Sequence, residues 1–453
     1  MPMSIADFAL QRDAFSSAAM RHVFCDESRL QRYLDFESAL ARVQARLAMI
    51  PAPAAVEIGR NARVAILDLD ALRARTELVG SPVVPIVEQL AANCAGDLGN
   101  WCHWGATTQD VTDTATVMQM RDALALIEDD LAAIADTLAG LAQRWRDTPM
   151  AGRTNLQQAV PITFGFKAAG YLAAIERHRV RLGELRPRVL VGQFGGAAGT
   201  LAALGTRGLE VQAALMDELG LGAPEIAWHT HRDRVAEVGG WLALVTGTLG
   251  KIATDIKLMM QTEVGEAFEP FAAGRGSSST MPQKRNPVAC TYILACAAMV
   301  RQQAAALFDA MVEDHERASG AWQIEWVAVP EIFMISAGAL AHSRALLAGL
   351  EIDPLRMRAN LDLSGGLMLA EAVMMALATP LGRQHAHDLV QTLGRRAGVA
   401  SRPFIDLLAA DPEVAAHLDR PALARLLDPA NYLGLAGAMV DRVLARRASV
   451  ASH

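Results

Sequence analysis

Nine apolar residues, Val117, Met120, Leu124, Ile127, Leu131, Ile134, Leu138, Leu141 and Trp145, follow one another at alternating spacings of three and four. That spacing places all of them on one stripe of a helix, a heptad seam of about 40 Å at 1.5 Å per residue. Val238, Leu242, Val245, Leu249, Ile252, Ile256 and Met259 repeat the pattern. Two such helices cannot bury their seams alone, so the chain must build a bundle. The opposite faces are also apolar, as in "LALVTGTLG" (242–250), which implies cover on more than one side and association between copies of the chain.

Composition supports helix over sheet. Apolar residues make up 52% and charged residues 20% of the 453, the balance of an ordered globular chain. Aromatic residues are scarce while Ala, Leu and Met abound. We therefore expect an all-α protein of three helical parts, 1–111, 112–360 and 361–453, the middle one carrying the long-helix bundle. Around it, residues 28–48 read as an amphipathic helix, "SPVVP" (81–85) as a turn, and the segments after "LDLSGG" (361–366) as a helical tail.

A net charge of −7 argues against nucleic acid as a partner and leaves no basic face for a membrane. The opening "MPMSIADFALQRDAF" lacks the basic-then-apolar pattern of a signal peptide. No charge-free apolar run reaches the roughly 18 residues that a membrane span needs. The five cysteines show neither CxxC nor zinc-ligand spacing and read as thiols of a reducing compartment, so a cytoplasmic protein is expected.

Three polar islands interrupt the apolar background. In "CHWGATTQDVTDT" (102–114), Asp110 with Asp113 can cap the long helix that follows, which leaves His103, Thr107 and Thr108 without a structural reason. In "GRTNLQQAVP" (152–161), Arg153, Thr154, Asn155, Gln157 and Gln158 include no acid or base of neutral pH, and the amides suit either buried interhelix hydrogen bonds or a binding surface. In "GRGSSSTMPQKRNPV" (274–288), a hydroxyl-rich loop runs into a cation and an amide, either a solvated linker or a site for an anion.

Together the islands resemble the aspartase/fumarase superfamily: "GSSSTMPQKRNP" is close to its GSSxMPxKxNP signature, "HWGATTQD" to its first conserved segment and "GRTNLQ" to its second. The stretches "LQRYLDFESALAR", "RPRVLVGQFGGAAGTLAALG", "WHTHRDR", "EDHERASGAWQIEW", "LAEAVMMALA" and "LLDPANYLG" extend the likeness almost end to end and point to one branch of it. The resemblance implies a homotetramer whose core is made of long helices from four chains, with each active site drawn from three subunits. It implies a small polycarboxylate substrate and no metal or organic cofactor. Carried across, Ser278 matches the loop serine that exchanges a proton beside a carboxylate. Lys284 and Asn286 match residues that bind carboxylate and stabilise the carbanion-like intermediate. Thr107, Thr108, Gln157 and Arg232 match substrate-carboxylate contacts, with Thr108 where serine is usual, and His103 matches a histidine of the first segment. Arg153, Thr154 and Asn155 belong to the second segment, and His229, with His231 and Arg234, stands in a candidate polycarboxylate-binding stretch that reads equally as a helix entry.

Two departures bear on the chemistry. Where related hydratases and amine lyases have a histidine that acts on the leaving group, this chain has Asn155, and where they have the supporting glutamate it has Thr291. Amines and hydroxide are strong bases that benefit from a general acid. A carboxylate, with a conjugate-acid pKa of roughly 4, leaves without a proton. The expected reaction is therefore intramolecular addition of a substrate carboxylate to a double bond, with Ser278 protonating the adjacent carbon. An alternative is a lyase with another weakly basic leaving group, such as nitrite from a nitrosuccinate-like substrate. A silent structural role on the same scaffold is opposed by the intact Ser278, Lys284 and Asn286.

Overall fold

The computed structural model describes residues 9–270, 276, 280–281, 283–400 and 402–450. Its longest helices are α1 (Asp26–Arg46), α2 (Thr108–Arg144), α3 (Phe164–Val189), α4 (Asp233–Met259), α5 (Val288–Asp309) and α6 (Ala321–Ala348). Strand among the described residues is confined to two antiparallel pairs, β1 (Pro149–Thr154) with β2 (Gln157–Thr163) and β3 (Ala267–Phe268) with β4 (Glu351–Ile352). The protein is all-α, as the seams require.

The first seam lies on α2, where Val117, Met120, Leu124, Ile127, Leu131, Ile134 and Leu138 are each at most 1% exposed. The helix ends at Arg144, so Trp145 falls just beyond it, half-buried. All seven residues of the second seam are buried along α4. At about 1.5–3 kcal/mol for each large apolar side chain taken out of water, these stripes are a main source of stability.

Contacts group the chain into two compact units. Unit 1 holds residues 1–131, 178–250 and 292–342, and unit 2 holds residues 132–177, 251–291 and 343–453. In unit 1, α1 packs on the helices Ala52–Asn61 and Gly208–Leu219. In unit 2, the β1–β2 hairpin packs on α7 (Pro354–Asp362), and the later helices enclose a core of Val373, Leu377, Leu393, Phe404, Leu408 and Leu423.

One local reading changes. "SPVVP" is the entry to a helix, Val83–Ala92, because Pro85 in a first turn gives up an N–H that has no partner there anyway. The helix α6 is long and apolar enough to match a membrane span by length and composition, yet 67% of that window is buried inside the chain, and it carries Glu325 and Glu331.

Candidate active site

The first island forms the entry to α2, within unit 1. Thr107 precedes the helix, and the Asp110 carboxylate reaches back to accept its N–H at 3.0 Å, half of a capping box. The same carboxylate accepts from the N–H groups of Gly195 at 2.8 Å and Gly196 at 2.9 Å, and from the Gln193 amide at 3.3 Å. It thus ties a glycine-rich loop across the start of the helix, and Gly196 turns through φ 71°, a conformation other residues rarely adopt. Burial pushes Asp110 up to about 6 in spite of these donors. The expected cap is therefore made by Asp110, whereas Asp113 turns to other partners.

His103 sits in the loop before this helix with φ 58°. Its Nδ1 is 2.6 Å from Oε1 of Glu37 on α1, and its backbone N–H donates to Oε2 of the same carboxylate at 3.0 Å. Burial disfavours the charged ring, but the Glu37 carboxylate outweighs it and holds the imidazole above the ordinary histidine range. Gln109 fixes two further pieces: its amide donates to the His229 carbonyl at 2.8 Å and accepts from Arg317 at 2.7 Å. Arg317 in turn donates to the Ala197 carbonyl at 2.8 Å. His229 is 6% exposed, and burial pushes its pKa down. His103, Thr107 and Thr108 thus stand at one helix N-terminus, where backbone amides favour an anion, and Gln109 in its first turn ties the His229 backbone to it.

Arg232 has a different place from the one expected. It is 2% exposed, donates to both oxygens of Asp113 at 2.8 and 3.0 Å, and binds Glu325 at 2.9 Å and through a second contact. Its guanidinium is engaged by buried carboxylates in the chain, where the resemblance implied a contact with a substrate carboxylate. Trp322 also donates to Asp113, at 3.1 Å. Glu313 lies beside this cluster at 3.9 Å from Arg232, with a side chain 0% exposed and both oxygens without a hydrogen bond among the described residues. Burial pushes it up to about 7.

The second island is a β-hairpin in unit 2. Thr154 pairs with Gln157 across a two-residue turn in which Asn155 has φ 50° and Leu156 φ 63°. Positive φ at both central positions is the turn that suits strand twist, and asparagine is among the residues it favours. Thr154, Asn155 and Gln157 are exposed in the chain, so the buried-amide reading fails for them. Gln158 alone behaves in that way, donating to the Asn360 carbonyl at 2.8 Å. Arg153 forms a two-point ion pair with Glu266, both contacts 2.7 Å, and Glu266 is fully buried. Asn360 donates to the same carboxylate at 2.8 Å. Arg153 thus anchors the hairpin through Glu266.

The third island is described in part. Ser278 lies outside the described residues. Asn286 closes the loop base, its side-chain amide donating to the Gly276 carbonyl at 2.9 Å and its backbone N–H to the same oxygen at 3.1 Å. Lys284 is exposed. Glu269, 5% exposed, accepts from the N–H groups of Ala289 at 3.0 Å and Cys290 at 2.8 Å and so caps α5. Thr291 is exposed, and its hydroxyl donates to the Pro287 carbonyl at 2.8 Å.

Comparison with known proteins decides what this constellation belongs to. The family described as Lyase matches residues 14–301, well over half the chain. The chain belongs to the aspartase/fumarase lyase superfamily. A second match, described as adenylosuccinate lyase C-terminus, covers residues 366–443. The chain is 54% identical to trans-aconitate decarboxylase 1 of Mycosarcoma maydis, over 96% of this chain and 89% of that one. It is 51% identical to 3-carboxy-cis,cis-muconate cycloisomerase of Pseudomonas aeruginosa, over 95% of each. The crystal structure of the 3-carboxy-cis,cis-muconate lactonizing enzyme of Pseudomonas putida superposes with a TM-score of 0.92 at 45% identity, over 97% of this chain and 99% of that one.

Several side chains that organise this lyase were not singled out from sequence. Glu37 had a signal: it is an acid on the same helical face as Leu34 and Leu40, which are buried, so a partner was required. Gln109, Glu266, Glu269 and Arg317 had none, because each finds its partner far along the chain.

Proposed function

We propose that this chain is a 3-carboxy-cis,cis-muconate cycloisomerase. One substrate carboxylate oxygen attacks a carbon of the double bond, the π electrons move to the carbon beside a second carboxylate, and Ser278 delivers a proton there. Solvent returns the proton to Ser278, so the net change is an isomerisation to a lactone. Lys284 steadies the charge that builds up on the second carboxylate, and the amide of Asn155 orients the attacking group. The observation that carries the reading is the joint replacement at Asn155 and Thr291. Both are exposed positions without an acid or base, in a chain otherwise 51% identical to a cycloisomerase. Lactonisation needs no acid for its leaving group, so neither is missed.

The 54% identity to a trans-aconitate decarboxylase favours one second reading. Loss of carbon dioxide also expels no strong base, and it too leaves a carbanion for a serine to protonate. Incubating the purified protein with 3-carboxy-cis,cis-muconate and following the ultraviolet absorbance of the diene tests the first reading. Unconsumed substrate would sink it, and full activity in Ser278→Ala would remove the proposed proton donor.

The working form in this proposal is a homotetramer with sites assembled between subunits. In unit 1, Val180, Leu244, Met299, Phe308 and Val327 are 39–59% exposed along the long helices, an apolar surface that other copies would cover. Sedimentation at micromolar concentration checks this, and a monomer would contradict it. Five free cysteines fit the proposed reducing, cytoplasmic setting.

A further inference from the structure

We propose that Glu37 and His103 form the working histidine–carboxylate couple of this site, with Nε2–H of His103 binding a carboxylate of the substrate and Glu37 as its positioning residue. The inference rests on the polycarboxylate chemistry proposed above. The couple that related lyases carry is gone from Asn155 and Thr291, yet a histidine and a glutamate meet elsewhere in this chain.

The geometry is that of a clamp. One Glu37 oxygen holds the ring at 2.6 Å and the other holds the backbone N–H of the same residue at 3.0 Å. Both the ring orientation and the backbone of His103 are thereby held, the backbone at φ 58°, a left-handed conformation uncommon outside glycine. Glu37 is 2% exposed, so its charge needs a partner, and the ring provides one. With Nδ1 engaged, Nε2 is the nitrogen left for a ligand, and it takes no hydrogen bond among the described residues. The His103 side chain is 22% exposed, so that nitrogen can be reached.

The residue stands four positions before Thr107, at the approach to the α2 amides. The charged groups facing the ring are Glu37 from α1 and Asp110 from the first turn of α2, and both favour its protonated form. A fixed imidazolium there neutralises one of the substrate carboxylates and stabilises the charge that grows during addition, with no proton transferred. The ring therefore does a different task from the histidine lost at position 155.

The test uses the full-length protein with histidine labelled at Cε1 for NMR. The His103 resonance, assigned by its loss in His103→Gln, should titrate above ordinary histidine and fall by at least one pH unit in Glu37→Gln. Propane-1,2,3-tricarboxylate, which cannot react, should shift that resonance in the wild type. With carboxymuconate, Glu37→Gln should lower kcat/KM at least tenfold and move its alkaline limb to lower pH, while Glu37→Asp recovers part of the loss. A His103 resonance unmoved by Glu37→Gln, or by the tricarboxylate, overturns the proposal. These two readouts need no turnover, so failure of the couple and failure of the substrate assignment are read separately.

Discussion

Asn155 and Leu156 occupy the two central positions of one hairpin turn, both in the left-handed region, at φ 50° and 63°. Position 155 thus answers to two demands in this account, a turn that tolerates few side chains and a proposed chemistry that needs no general acid there. Position 156 answers to neither: it is 81% exposed, and leucine is poorly suited to that backbone.

Leu156→Gly should therefore stabilise the fold by about 1 kcal/mol, since glycine takes this conformation without strain. Denaturant unfolding of the two proteins measures it. A less stable variant would mean that the leucine side chain makes a contact worth more than the strain.

Asn155→Gly separates turn from chemistry. Glycine suits the same turn, so the melting temperature should stay within about 2 °C of wild type while kcat falls about tenfold through loss of the orienting amide. Unchanged kcat would reduce Asn155 to a turn residue.

Arg153→Met leaves the fully buried Glu266 carboxylate without its partner and should cost about 3–5 kcal/mol. Adding Glu266→Met should restore much of that stability, because the orphaned charge is gone. Equal losses in the single and double variants, read by denaturant unfolding, would contradict the ion pair as the anchor of the hairpin.

Glu313 gives a pH dependence of known sign. Burial raises it from the ordinary 4.5 to about 7, with Glu325 and Asp113 adding to the rise and Arg232 opposing it. Its contribution to stability is fully present below about pH 4.5 and is lost as pH rises through about 7. Glu313→Gln should therefore melt about 2 °C above wild type at pH 8 and close to it at pH 5. A lower melting temperature at pH 8 would mean that the carboxylate is ionised and useful there.

What could be read from the sequence was whatever is periodic or local. The seams at 117–145 and 238–259 predict the long helices because burial follows the helical repeat, and the TTQD segment predicts its cap because that bond spans three residues. The buried partners of Arg153 and Arg232 could not be read for the opposite reason. A guanidinium beside a polar motif looks the same whether it waits for a substrate or for a buried glutamate, and Glu266 and Glu325 lie 113 and 93 positions away. His103 was found, but the Glu37 that holds it lies 66 positions off on another helix.

The central claim is the identity of the reaction, and a direct comparison of kcat/KM for 3-carboxy-cis,cis-muconate and trans-aconitate tests it. The account predicts at least a hundredfold preference for the carboxymuconate, about 2.7 kcal/mol of transition-state discrimination, with conversion to lactone and no release of carbon dioxide. Decarboxylation of trans-aconitate with the carboxymuconate left intact would contradict it.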